Sequence, residues 1–196
     1  MSKTNPIKDK TALEKFKNYY LSENNFRNYA LIILGLNTAL RIGDILALKW
    51  EDVYNFPEKH FRKHICLTEQ KTGKESTIAM NEAAVSVLCL VKKQLLETKE
   101  VPFPEKYLFT SGRNKDMPLS RYQAYRVIKK AAEAAGLEEN VSCHSLRKTF
   151  GYYAWKQGVP PAMLMNIYNH SSYQITKRYL GIEQEDRDEV FMKIKI

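Results

Sequence analysis

Apolar residues recur at helical spacing along most of the chain and alternate in only one short region. Residues 1–10 read as a loose polar arm, and Thr11-Ala-Leu-Glu14 has the reciprocal pattern of a capping box opening a helix to about residue 21. Residues 26–38 are apolar on nearly every side, as in a helix buried all round. Leu40, Ile42, Ile45, Leu46 and Leu48 mark a short amphipathic helix with Arg41 at its start. From Val53 the texture changes: residues 64–68 and 76–79 alternate as strands do, and Lys71-Thr-Gly73-Lys74 between them has the composition of a hairpin turn. Asn81 opens a helix to about residue 97, which Val101-Pro-Phe-Pro104 breaks, and residues 107–110 form a short extended piece. Ser120-Arg-Tyr-Gln123 is a second capping box, starting a helix to residue 135 that stops at Gly136. A helix over 144–157 ends at Gly158 and Pro160, and Pro161 suits the first position of another that reaches residue 168. Asn169-His170-Ser171 breaks the pattern, and Ser171 caps a helix holding Thr176, Lys177, Arg178 and Tyr179, with Gly181 after it. Val190, Phe191 and Ile194 give residues 187–196 the spacing of a short amphipathic tail. The expected fold class is mainly α with a small antiparallel β-sheet.

Charge adds a partner to this picture. The 196 residues hold 31 Lys and Arg against 22 Asp and Glu, a net +9, which favours a polyanion through attraction and counterion release; the bland alternative is a soluble basic protein. Cys66, Cys89 and Cys143 are scattered and form no C-x-x-C pair, so neither a disulfide framework nor a cysteine zinc site is expected, in keeping with a reducing cytoplasm. His60, His64 and Cys66 lie in a polar stretch with no fourth ligand nearby and read as solvated, so no metal and no cofactor are expected. The polar opening residues do not resemble a signal peptide, and no apolar run approaches a membrane span.

Candidate chemistry concentrates in Val141-Ser-Cys-His144-Ser-Leu-Arg147-Lys-Thr149. On a helix, residues three apart share a face, so His144 and Arg147 project together. Arginine offers a planar fork of donors to phosphate oxygens, and histidine exchanges a proton near neutral pH. Arg41 stands beside apolar surface and needs a partner that Asp44, one turn on, could supply; an ordinary helix pair is the competing reading. Lys71 at a hairpin tip is either solvated or functional. Arg121, Arg126, Lys129 and Lys130, interleaved with Tyr122 and Tyr125, form either a DNA-facing surface or a solvated basic face, and Lys148 joins them as a DNA-facing cation.

Taken together, Arg41 in Thr38-Ala-Leu-Arg41, Lys71 in Gln70-Lys-Thr-Gly73, the His144-Ser-Leu-Arg147 box, Asn169-His170-Ser-Ser and Tyr179 in Lys177-Arg178-Tyr179-Leu-Gly181 resemble the motifs of the tyrosine recombinase (phage integrase) family, in order and over about residues 25–182. Ala39 and Asn169 stand where that family commonly has glycine. The resemblance implies the family's catalytic-domain fold over 25–182, after an arm and short helix over 1–24 and before a tail over 183–196 that docks on a neighbouring protomer. Only about 25 residues precede the catalytic-like region, as in short invertases of the family that lack an N-terminal core-binding domain.

The resemblance also implies the reaction. Arg41 and Arg147 bind non-bridging phosphate oxygens, His170 adds a hydrogen bond, Tyr179 attacks phosphorus, Lys71 protonates the leaving 5′ oxygen, and His144 takes the tyrosine proton or orients the phosphate. The product is a 3′-phosphotyrosine link, with no ATP or metal required; the chain has no P-loop and no clustered carboxylates for a two-metal site. The implied partners are double-stranded DNA, further copies assembling on it from a free monomer, and an accessory DNA-bending protein. Two other readings stay open: a non-cutting regulator of a recombination site, and a type IB-like topoisomerase.

Overall fold

A computed structural model describes residues 4–137 and 140–194. The first half is built round α2 (Phe26–Asn37), buried from Ala30 to Leu36 as its uniformly apolar sequence predicts. α1 (Lys10–Ser22) packs along one side and delivers Phe16 and Tyr20 to the interior. It starts before the expected Thr11 box: Asp9 is the cap, its carboxylate accepting from the Ala12 N–H at 2.6 Å. An ionised oxygen is the stronger acceptor for those unpaired amides. α3 (Ile42–Ala47) and the single turn α4 (Trp50–Val53) follow, with Trp50 fully buried.

Two antiparallel hairpins come next. β1 (Tyr54–Asn55) pairs with β2 (His60–Phe61), a hairpin whose two-residue strands are too short to show alternation. β3 (His64–Thr68) pairs with β4 (Glu75–Ala79), Ile65 opposite Ile78, and presents the expected turn over residues 69–74. α5 (Glu82–Glu97) is capped by Asn81 as predicted and lies along α2. Residues 107–110 bridge to Lys49 and Pro118. α6 (Arg121–Ala134) forms its capping box in full.

The C-terminal half stacks α7 (Cys143–Lys156), α8 (Pro161–Tyr168) and α9 (Tyr173–Leu180). Ser172, not Ser171, caps α9, accepting from the Ile175 N–H at 3.3 Å. Leu164, Tyr168, Leu180 and Ile182 form a separate small core against Ala39. α9 can lie this close to α7 because Gly151 carries no side chain: a Cβ there would overlap the Tyr168 hydroxyl and Leu180. α10 (Gln184–Lys193) ends the fold, with Phe191, Met192 and Ile194 exposed. The side chain of Val190, and Ile196, lie outside the described residues.

The polar opening segment is not loose. The Ile7 side chain is buried and its N–H donates to Thr149 Oγ1 at 2.9 Å. Asn5 N donates to Asn140 O, Lys148 Nζ to Thr4 O and Tyr153 Oη to Lys8 O. Lys8 Nζ meets Asp186 Oδ2 at 2.9 Å, while Tyr152 Oη donates to Asp186 Oδ1 at 2.6 Å. Two adjacent buried residues, Pro6 and Ile7, seat the strap, and backbone groups hold it; neither signal stands out in a polar decamer. No helix among the described residues is long and apolar enough to cross a membrane.

Asp186 joins both chain ends to α7. Burial pushes its carboxyl up, but the Tyr152 hydroxyl, the Glu183 N–H and Lys8 outweigh that and hold it below the usual carboxylate range. Its contribution to stability is therefore present above the ordinary aspartate pKa and is lost as pH falls through the lowered folded value. Asp186→Asn should cost about 2 kcal/mol in urea unfolding at neutral pH and flatten the acid limb of stability against pH. An unchanged acid limb would contradict the role given to this carboxylate.

Candidate functional site

The six residues singled out from the sequence come from five separate elements. Arg41 is the residue before α3, with extended backbone. Lys71 sits at the exposed β3–β4 turn, His144 and Arg147 lie in the first turns of α7, His170 follows α8, and Tyr179 is near the end of α9.

Arg147 is at the centre and 5% exposed. Its guanidinium donates to Ala39 O and, at 3.4 Å, to Ile167 O. It lies 4.7 Å from the centroid of the Tyr168 ring, and its charge acts on the Tyr179 hydroxyl. Tyr168 is the platform that sequence reading missed. Its hydroxyl donates to Arg147 O at 2.8 Å, His170 stacks on it at 5.6 Å, and Tyr179 tilts against it at 5.2 Å. Nothing in an apolar helix ending in tyrosine distinguishes such a platform from ordinary core.

Tyr179 meets the edge of His170 at 5.2 Å between centroids. Burial raises the Tyr179 phenol, while the Arg147 guanidinium, then the Arg41 charge, work against the rise. Burial, then Arg147 and Arg41, lower His170 below the ordinary histidine range; its Nδ1 sits 3.1 Å from Thr176 Oγ1, which donates in turn to Ser172 O. Thr176 is fully buried, so its hydroxyl fixes the ring. His144 is solvent-exposed, yet partial desolvation of its ring and the charges of Lys148, Arg147, Lys71 and Arg41, in that order, lower it too. Arg41, Lys71, His144, Arg147, His170 and Tyr179 thus share one electrostatic environment.

The partner expected for Arg41 is corrected. Glu69, not Asp44, pairs with its guanidinium. Asp44 is buried beneath, its Oδ1 accepting from the Gln70 N–H at 2.9 Å. One-turn spacing places two residues on one helix face only when both lie in the helix, and Arg41 precedes α3 in an extended conformation.

The basic residues divide. Arg121 reaches back over Gly43, on the Arg41 side. Lys148 donates to Thr4 O and lies 5.1 Å from the Tyr179 ring centroid. Arg126, Lys129 and Lys130 line a groove of about 610 Å³ with Arg27 and Arg113, and Lys130 turns towards Glu23 at 3.7 Å and the Tyr19 ring. A cleft of about 470 Å³ runs between β4, Ala39 and the end of α8, with Arg147 in its wall. His60, one of the histidines read as solvated, is exposed and lies 2.6 Å from Glu58.

Ala39 and Asn169, the two positions noted above as departures from the motifs that the sequence resembles, both have left-handed backbone, φ 55° in each. Asparagine tolerates that region. Ala39 is held there by its own carbonyl bond to Arg147.

The sequence profile of the Phage integrase family matches residues 8–185. The chain is 41% identical over 180 residues to the probable integrase/recombinase YoeC of Bacillus subtilis (strain 168), covering 92% of this chain and 91% of that protein. It is 26% identical to the tyrosine recombinase XerD of Corynebacterium glutamicum, covering 85% of this chain but 52% of XerD, so it spans about half of that longer relative. Among solved structures, XerA recombinase superposes with TM-score 0.75 at 21% identity, covering 99% of this chain and 68% of that one. A lambda integrase dimer bound to a COC' core site gives TM-score 0.65 at 20% identity, covering 100% and 52%.

Left-handed backbone at Ala39 costs about 1–2 kcal/mol, close to what burying its methyl group and restricting the unfolded chain return. Ala39→Gly should therefore be neutral within about 1 kcal/mol by urea unfolding, whereas Ala39→Val, β-branched and confined, should lose more than about 2 kcal/mol. Equal effects of the two would show that the backbone at residue 39 is not strained.

Proposed function

The chain belongs to the phage integrase family, and on that premise we propose that it is a site-specific DNA recombinase, an integrase or invertase, that cuts and rejoins DNA through a 3′-phosphotyrosine intermediate. The observation carrying this reading is the Tyr179 ring packed against Tyr168 and the edge of His170, beside the buried Arg147 guanidinium that lies on the same Tyr168 ring.

Arg41 and Arg147 bind the two non-bridging oxygens of the scissile phosphate and neutralise the charge that builds in the pentavalent transition state. Arg147 needs no reorganisation to do so, because its guanidinium is already fixed by Ala39 O, Ile167 O and the Tyr168 ring. His170 adds a hydrogen bond to the phosphate from Nε2, the Thr176 hydroxyl turning from Ser172 O to donate to Nδ1 so that the neutral ring keeps its proton on Nε2. Tyr179 Oη attacks phosphorus as its proton passes to His144, whose lowered pKa leaves it neutral and able to accept at pH 7. The bond from phosphorus to O5′ breaks, and Lys71 Nζ supplies the proton to O5′. A 5′ hydroxyl from another strand reverses the step, regenerating the phosphodiester and the phenol. Since one phosphodiester replaces another, no nucleotide energy source enters the balance.

DNA is held by the basic face beside the site, Arg121 and Lys148 nearest the chemistry and Arg126, Lys129 and Lys130 further out. Solved neighbours captured on DNA, such as the XerH recombinase bound to difH, support DNA as the partner. Several copies assemble on paired sites in the cytoplasm, with an accessory bending protein where the sites require it, and the exposed Phe191, Met192 and Ile194 of one copy dock on its neighbour.

The deciding experiment mixes the protein with DNA flanking its gene, in EDTA and without ATP, and quenches with SDS. A covalent adduct that Tyr179→Phe abolishes is expected. DNA binding that weakens with salt but leaves no adduct would point to the non-cutting regulator, and cleavage and rejoining by the full chain on a single site with no exchange between two sites would point to the topoisomerase-like activity. Deleting residues 184–196 should leave the adduct on one site and abolish exchange between two sites; full exchange by the truncated chain would remove the docking role of the tail.

A further inference from the structure

Glu69 is 7% exposed and belongs to none of the six positions above. A carboxylate so buried is costly unless every lone pair is satisfied, and its partners are specific. Oε2 accepts from the Arg41 guanidinium and from Thr72 Oγ1 at 2.7 Å, and Oε1 accepts from Ser76 Oγ at 3.1 Å. Its backbone closes the same turn, N donating to Lys74 O at 2.9 Å and O accepting from Gly73 N at 2.8 Å. Thr72 lies in the turn next to Lys71, and Ser76 lies on the returning strand β4. One side chain therefore joins the arginine before α3 to both arms of the hairpin that carries the lysine. A second strut runs alongside, from the Gln70 N–H to Asp44.

We propose that Glu69 is a positioning residue that fastens the Lys71 turn to Arg41, so that the proton donor for the leaving oxygen and a phosphate-binding guanidinium are presented as one rigid unit. An exposed turn in a two-stranded sheet would otherwise move freely, and displacement by about 1 Å is enough to cost roughly a hundredfold in rate. The buried setting bears this out: burial raises the Glu69 carboxyl, but Thr72, Arg41 and Ser76 outweigh it, so the group stays ionised and keeps its hold on the guanidinium. The inference rests on the recombinase reading for its chemistry, though not for its geometry.

The test compares wild type with Glu69→Gln, which keeps size and removes charge, on two versions of the duplex recovered as the covalent adduct. One has the natural phosphodiester; the other has sulfur in place of O5′, a leaving group that needs no proton because thiols ionise near neutral pH. Single-turnover adduct formation by Glu69→Gln should fall roughly 10- to 100-fold on the natural duplex and by less than about threefold on the sulfur duplex. An equal loss on both duplexes would overturn the proposal by assigning the defect to Arg41 or to the fold, and a normal or faster natural reaction would overturn it by making Glu69 a bystander or a block. Amide hydrogen exchange without DNA provides an arm independent of activity: protection at residues 70–74 should fall by about tenfold or more in Glu69→Gln while that of α7 is retained. Unchanged protection there defeats the proposal even if the recombinase reading holds. A wild type that forms no adduct defeats that reading and leaves exchange to decide whether Glu69 holds the turn.

Discussion

The structure depends on a buried positive charge. Arg147 is almost wholly enclosed, and no carboxylate among the described residues pairs with it. Its partners are two main-chain carbonyls and an aromatic face, all neutral. Neutral partners satisfy its N–H donors without cancelling its charge, so the positive field persists in a setting where water screens it little. Burial comes first in lowering His144 and His170, that field adds to it (after Lys148 in the case of His144), and at Tyr179 the field works against burial. An ion pair in the same place would hold the fold equally well and leave nothing for an anion to meet.

Keeping that charge in position takes most of the C-terminal half. Ala39 is held in left-handed backbone to present its carbonyl, Tyr168 offers its ring beneath and its hydroxyl to the helix carbonyl of Arg147, and Gly151 lets α9 close in. The segment around Ile7 straps α7 from outside and meets α10 through Asp186. The hairpin with Lys71 is the exposed counterpart of this rigid centre, and its link to the centre runs through Glu69 and Asp44. In the proposed reaction the rigid groups would meet the phosphate and the tethered group would reach for the leaving oxygen.

Local patterns in the chain were enough for the helices around α2, α5, α6 and α7, the β3–β4 hairpin, and the family to which the six spaced residues point. Each rests on information within a few residues: periodicity, a cap, a turn glycine, a short box. Where a neighbouring residue competed for the same job, local reading slipped by one or two positions, as at Asp9 for Thr11 and Ser172 for Ser171, because adjacent oxygens can serve the same amides. The short β1–β2 hairpin left no period to detect.

What the sequence by itself determined is which residues this protein owns and which local elements carry them: a histidine and an arginine on one helix, a lysine on a turn, a tyrosine near a helix end, and a basic surplus. What only the tertiary structure decided is who touches whom. Glu69 replaced Asp44 beside Arg41, Tyr168 became the floor under Arg147 and His170, and a polar opening segment became a strap. These contacts join residues distant in sequence, and they follow from packing and from the need to satisfy buried polar groups. No periodicity along a single chain encodes either constraint.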